Sequence, residues 1–148
     1  MTQFEPTIHV DFNRPDRCYM PGGSISVRYE VEGLGERPLL AVERSLLWYT
    51  EGKGEEDIGV HFFDRRSSKT DAAKALETGS FTAVLPASPL SYEGVIVKVR
   101  WCIRVRIFFS SRDAVPELLG GSRDFVSEHV FEVGTIPPAA LNAGAQSA

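Results

Sequence analysis

One run of alternating residues constrains the fold of this chain more than any other feature of its sequence. Across residues 95–109 every second residue is apolar. The intervening positions include four basic residues: Lys98, Arg100, Arg104 and Arg106. A period of two is typical of a β-strand with one buried face and one exposed face. Such a strand would span roughly 45 Å at about 3.3 Å per residue, so we expect a bend or bulge in it.

Shorter alternating or apolar runs predict six further strands, near residues 7–12, 25–31, 40–48, 58–63, 81–85 and 125–133. In the last run, Val126 and Val130 differ in parity from Phe131 and Val133, which predicts a bulge near His129. Residues 70–78 instead contain strong helix formers and are followed by Gly79, so we expect one short helix or turn there. These elements predict an all-β chain folded as an antiparallel sandwich of about seven to eight strands, with a closed barrel as the alternative.

Length and composition narrow the class of protein. The 148 residues suit one domain over residues 1–134, and the Pro/Ala-rich residues 135–148 are predicted to be a flexible tail. The formal charge of −4 argues against a nucleic-acid binder, and no apolar stretch is long enough for a membrane span. The first residues lack the pattern of a secretory signal, so we expect a cytoplasmic protein. Cys18 and Cys102 are expected to be reduced thiols.

Two turn motifs carry a resemblance to a known family. Residues 19–27 read YMPGGSISV, and residues 79–94 combine a strand ending at Pro86 with the turn PLSYEG. This pattern, followed by the long strand, resembles the arrestin-like superfamily over roughly residues 7–133. The resemblance implies a single arrestin-type, immunoglobulin-like β-sandwich domain, whereas arrestins carry two. It also implies a non-enzymatic scaffold or adaptor that binds other proteins and needs no cofactor.

The basic face of the long strand is the candidate partner-binding site. Its residues are Lys98, Arg100, Arg104, Arg106 and Phe108. They are suited to acidic tails or phosphate groups, and an aromatic ring beside arginine is typical of protein interfaces. The alternative is cross-strand pairing with acids, for which the candidates are Glu30, Glu32, Glu43, Glu128 and Glu132. The expected partner is another protein or a second copy of the chain, in a homodimer.

No reaction chemistry is evident from the sequence. The chain has no G-x-S-x-G motif and no phosphate-binding loop. The three histidines, His9, His61 and His129, are not spaced as metal ligands, and Asp57, His61 and Asp64 are a weak catalytic pattern. We therefore predict no catalytic or metal-binding residues, and the protein-interaction module that the resemblance implies stays the leading prediction. The alternative is a sandwich that binds carbohydrate or another small ligand, and it needs exposed tryptophans. Trp48 and Trp101 instead both alternate in step with the residues expected in the core.

Overall fold

The structure of the chain, a computed structural model, describes residues 5–110 and 122–134. These residues form nine strands and one 3₁₀ helix: β1 (Thr7–Phe12), β2 (Cys18–Tyr19), β3 (Ser24–Glu32), β4 (Leu39–Gly52), β5 (Ile58–Ser67), the 3₁₀ helix (Ala73–Glu77), β6 (Thr78–Val84), β7 (Tyr92–Glu93), β8 (Val97–Ser110) and β9 (Ser122–Val133). Apart from β2 and β7, with two residues each, the strands lie where the alternating runs predict them. The all-β prediction is confirmed. The predicted tail, residues 135–148, lies outside the described residues.

The strands form two sheets that pack as a sandwich. The smaller sheet has the order β1-β3-β6, and the larger has the order β2-β9-β8-β4-β5 with β7 paired to β8. Each strand pairing is antiparallel except the one between β2 and β9, which is parallel and joins two residues of each strand. The described strands therefore form a sandwich, as predicted, and not a closed barrel.

The core lies between the inner faces of the two sheets. On β3 the alternate residues Ile25, Val27, Tyr29 and Val31 are buried and project towards the larger sheet. On β8 the buried stripe runs from Trp101 to Phe109. Removing this apolar surface from water stabilises the fold by about 25 cal/mol per Å². The predicted apolar stripe is longer than the buried one, because Val95 precedes β8 in an exposed turn, and Val97 and Val99 at the start of β8 are not buried.

The segment predicted as a helix near 70–78 is a shorter 3₁₀ turn. Its last predicted residue, Thr78, begins β6. The guanidinium of Arg66 on β5 donates to the carbonyls of Ala75 (3.2 Å) and Thr78 (3.1 Å). These carbonyls therefore bond a side chain of the neighbouring strand. Gly79 lies in β6, where a Cβ atom would come within 2.5 Å of the Tyr29 hydroxyl, so close packing requires the glycine.

The irregularities of the large sheet are not where the sequence places them. β9 pairs with β8 in one unbroken register, so the predicted bulge near His129 is wrong. Phe125, Ser127, His129 and Phe131 share the inner parity, and Val126 and Val130 lie on the outer face instead. Between β4 and β8 the register shifts at Leu40, an extra residue on β4. Between β4 and β5 it shifts at His61, an extra residue on β5. Exposed valines on β9 account for the mixed parity without a bulge.

A buried arginine interrupts the apolar inner face of β4. Arg44 is 6% exposed, and its guanidinium forms a two-point ion pair with Asp64 on β5, in which the Nε–Oδ1 distance is 2.6 Å. It also donates to the Ser80 carbonyl at 3.1 Å and lies over the ring of Phe81. A buried charge is tolerated only with such partners. Arg44 therefore belongs to the interior of the sandwich.

Side chains close the side of the sandwich between β5 and β6. They bond three β6 carbonyls: Arg66 bonds Thr78, Arg44 bonds Ser80 and His61 bonds Val84. These carbonyls belong to even-numbered residues of β6 and lie on the strand edge that points away from β3. An open strand edge is a template for pairing with another chain. At β6 that edge is largely occupied by side-chain donors.

Candidate functional site

The structure places the predicted site residues in one row on the outer face of β8. Alternation sends Trp101, Ile103 and Val105 into the core, so Arg104 and Arg106 project to the opposite side. Lys98, Arg100 and Phe108 share this parity. We call the exposed surface formed by β9, β8, β4 and β5 the outer face. The row runs across its centre, because β8 lies between β9 and β4.

Acidic side chains of neighbouring strands pair with the basic residues of the row. The ion-pair distances are 2.6 Å for Arg104–Glu128, 2.9 Å for Arg106–Asp124, 3.1 Å for Arg100–Glu51, 3.0 Å for Arg100–Glu93 and 3.6 Å for Lys98–Glu93. The hydrogen bond to Glu51 raises the pKa of Arg100. Cross-strand pairs of this kind contribute about 0.2–1 kcal/mol each. The outer face therefore has both signs of charge.

Of the acids named as pairing candidates, Glu128 pairs with the row and Glu43 pairs instead with Arg65. Glu30 and Glu32 belong to β3 in the other sheet. The remaining partners, Glu51, Glu93 and Asp124, were missed by sequence reasoning. They are found only when the cross-strand register is known.

Phe108 lies at the far end of the row between two arginines. The guanidinium carbon of Arg106 is 4.9 Å from the ring centroid, and that of Arg65 on β5 is 5.0 Å away. Cation–π contacts of this geometry contribute about 0.5–1 kcal/mol at exposed sites. The ring is half-buried by these contacts. The sequence also allows an alternative in which the loop of residues 112–122 covers this ring, and that loop, up to residue 121, lies outside the described residues.

Under the charged row the outer face contains a small apolar layer. Leu47 and Cys102 are opposite one another on β4 and β8, and both are fully buried although they point away from the core. Burial raises the pKa of the Cys102 thiol to about 12. Tyr49, next to them, has a raised pKa for the same reason. A thiol with so high a pKa is a packing group and not a nucleophile at neutral pH.

Exposed apolar side chains flank the charged row on both sides. They are Ile58, Val60 and Phe63 on β5, and Val126 and Val130 on β9, each between 39% and 59% exposed. The side chain of Phe62, next to Phe63, points to the opposite face of β5 and stacks on the ring of Phe81 with a centroid distance of 5.1 Å. The mixed parity of the run 125–133, which predicts a bulge, is instead the sequence signal for these two exposed valines of β9. A groove of about 480 Å³ crosses this surface and has Tyr49, Ile58, Arg104 and Glu128 in its lining.

The other sequence candidates do not come together. His9 bonds Glu32 on the smaller sheet, His61 bonds the Val84 carbonyl, and His129 contacts Ser127. Among the described residues no group of three metal-ligating side chains is placed to hold a metal ion. Asp64, from the weak catalytic pattern, pairs with the buried Arg44.

The tryptophans do not form a ligand platform. Trp101 is fully buried and its indole N–H donates to the Pro89 carbonyl at 2.8 Å. Trp48 is half-buried against the core. The sugar-binding alternative therefore has no well-exposed indole ring on which a sugar could stack.

The fold belongs to a recognisable class, the arrestin-like β-sandwich. A solved structure that is similar to it is Spo0M, a sporulation control protein from Bacillus subtilis, with a TM-score of 0.54 and 13% sequence identity. The match covers 96% of this chain and 55% of that one, so the chain spans about half the length of its structural neighbour. No family model and no curated protein sequence matches this chain. The likeness establishes the fold alone.

In the described part of the chain there is no helix with the length and hydropathy needed to cross a membrane.

Proposed function

We propose that this chain is a non-enzymatic protein-interaction module that acts as a scaffold or adaptor through its outer face. The observation that carries the proposal is the composition of this face. Five exposed large apolar side chains lie there beside exposed arginines. On the solvent face of the smaller sheet, the described strand residues include one exposed large apolar side chain, that of Val84. Protein interfaces combine apolar and aromatic residues with arginine, and clustered exposed apolar residues mark interaction sites.

The predicted site residues have a defined role in this proposal. Lys98, Arg100, Arg104, Arg106 and Phe108 are contact residues within a surface of mixed charge. A partner carboxylate that binds Arg104 has to compete with Glu128, which is 2.6 Å from the guanidinium. The match between the mixed charges of this face and those of the partner therefore determines binding specificity more than affinity. The partner is a different protein or a second copy of this chain, and residence in the cytoplasm stays a prediction.

Site-specific photocrosslinking in cells of the source organism tests the proposal. A benzophenone amino acid replaces Val126, which is exposed on the outer face, and in a matched control it replaces Thr82 on the solvent face of the smaller sheet. We expect position 126 to crosslink a defined protein that position 82 does not. Equal labelling from both positions, or no protein adduct from either, contradicts the proposal.

Charge-swap variants then separate binding from stability. Arg104→Glu breaks the pair with Glu128, whereas Arg104→Glu combined with Glu128→Arg restores an ion pair in the opposite orientation. If Arg104 contacts the partner, both variants lose binding to the captured protein. If the ion pair only supports the sheet, the double variant recovers binding, and Arg104 is not a contact residue.

A further inference from the structure

The turn between β7 and β8 projects apolar side chains from one end of the larger sheet. The Gly94 amide donates to the Val97 carbonyl at 3.1 Å, so Val95 and Ile96 occupy the two central positions of a tight turn. Val95 is fully exposed and Ile96 is 68% exposed. Central turn positions usually contain Gly, Pro, Asn, Asp or Ser, because these residues favour the turn backbone. Two exposed β-branched residues contribute little to the core, so folding alone does not explain them.

Neighbouring residues extend this surface. We call it the apolar tip, and its members are Leu90, Tyr92, Val95, Ile96 and Val97, each at least 37% exposed. Single exposed apolar residues are normal on a protein surface, but a contiguous group is typical of an interaction site. The five exposed residues of the apolar tip lie within eight positions of the chain, in β7, in the turn and immediately beside them.

The apolar tip is held in position by the end of β4. The Lys53 amide donates to the Ile96 carbonyl at 3.2 Å, and Gly52 is paired with Val97. A Cβ atom at Gly52 would lie 2.1 Å from the Ile96 carbonyl oxygen, so the glycine permits this close approach. A surface that is ordered before binding loses little conformational entropy on association.

The turn next to the apolar tip is acidic. Residues 51–57, which read EGKGEED, are all exposed and contain four carboxylates and one lysine. Glu51 pairs with Arg100, but in the described part of the chain Glu55, Glu56 and Asp57 form no ion pair. This turn, which bonds the apolar tip through the Lys53 amide, therefore has an excess of negative charge, and we call it the acidic rim. Such a rim attracts a basic surface and repels an anionic one.

We propose that the apolar tip is the anchor for the partner of this module, and that the partner presents an apolar pocket with lysine or arginine on its rim. This inference rests on the proposed function and identifies which part of the surface inserts into the partner. The acidic rim disfavours an anionic membrane as the alternative, because lipid phosphates and carboxylates repel one another.

Crosslinking from position 96 followed by affinity measurement tests the inference. The protein captured from position 96 is purified, and its affinity is measured for the wild type, for Val95→Ser/Ile96→Ser and for the control Val84→Ser, which removes a valine that is 64% exposed from the smaller sheet. We expect at least about a tenfold loss of affinity for the tip variant, as for an interface hot spot, and no change for the control. We also expect binding to weaken as NaCl rises from about 0.05 to about 0.3 M, because salt screens the acidic rim.

Several results would overturn the inference. If the tip variant has unchanged affinity, the apolar tip does not anchor the partner. A partner that still crosslinks from position 126 leaves the proposed function intact. Binding that does not depend on salt contradicts the inference that the partner has lysine or arginine on its rim. Binding of the wild type, but not of the tip variant, to phosphatidylcholine–phosphatidylglycerol vesicles shows a membrane ligand instead. Because both tip side chains are exposed, equal melting temperatures of the variants serve as the folding control.

Discussion

The ion pair between Arg44 and Asp64 gives a prediction about the interior of the sandwich. The side chain of Arg44 is 7% exposed and that of Asp64 is 38% exposed. Removing the acid by Asp64→Ala leaves a buried guanidinium without its counter-charge. Breaking a buried pair in this way costs about 3–5 kcal/mol, and access of water to the site favours the lower end, about 3 kcal/mol. For a domain of this size that loss lowers the melting temperature by roughly 10 °C.

Removing the arginine is expected to cost less than removing the acid. Arg44→Met leaves a carboxylate that water reaches, and it gives up one hydrogen bond to Ser80, so the expected loss is about 1–2 kcal/mol. The double variant Arg44→Met/Asp64→Ala has no uncompensated buried charge, and we expect it to be more stable than Asp64→Ala alone. Urea unfolding followed by circular dichroism measures all three free energies.

The chain offers a matched control on the same two strands. Glu43 and Arg65 are the next pair along β4 and β5, but they lie on the outer face, with 20% and 48% of their side chains exposed. We expect Glu43→Ala to cost less than about 1 kcal/mol. If Asp64→Ala costs no more than Glu43→Ala, or if the double variant is less stable than Asp64→Ala, then Asp64→Ala does not leave an uncompensated buried charge.

Three further predictions concern packing. The pKa of Cys102 is about 12, above the ordinary thiol value of 9.0, so this thiol stays protonated to a higher pH in the folded state than in the unfolded state. Stability should therefore fall by about 1.4 kcal/mol per pH unit as pH rises above 9, and Cys102→Ala, measured by urea unfolding, should have a shallower slope; parallel slopes would contradict this. Gly52→Ala forces a Cβ atom against Ile96 at a φ of +139°, so we expect a loss of about 1–3 kcal/mol in thermal unfolding, and an unchanged melting temperature would be evidence against that contact. Fluorescence of Trp48→Phe, which leaves buried Trp101, should be blue-shifted relative to Trp101→Phe; the reverse order would show that Trp101 is the more hydrated ring.

Much of the fold could be predicted because alternation is a property of one strand at a time. The parity of Ile103, Val105 and Ile107 defined a buried face and thereby placed Arg104 and Arg106 together on the other. The prediction near His129 was wrong because the valines of β9 were assumed to be buried. Exposed valines and buried ones have the same sequence pattern, and only the neighbouring strand distinguishes them.

Local alternation is enough to predict the long strands, the inward parity of β8 and the row of basic residues opposite it. The contacts of each side chain emerge only from the packed strands: Arg104 pairs with Glu128, Arg44 is buried with Asp64, and the apolar tip lies against the end of β4. The physical reason is the range of the interactions. The period of a strand is set by its own backbone, whereas ion pairs, bulges and buried charges depend on which distant strand lies alongside and in which register.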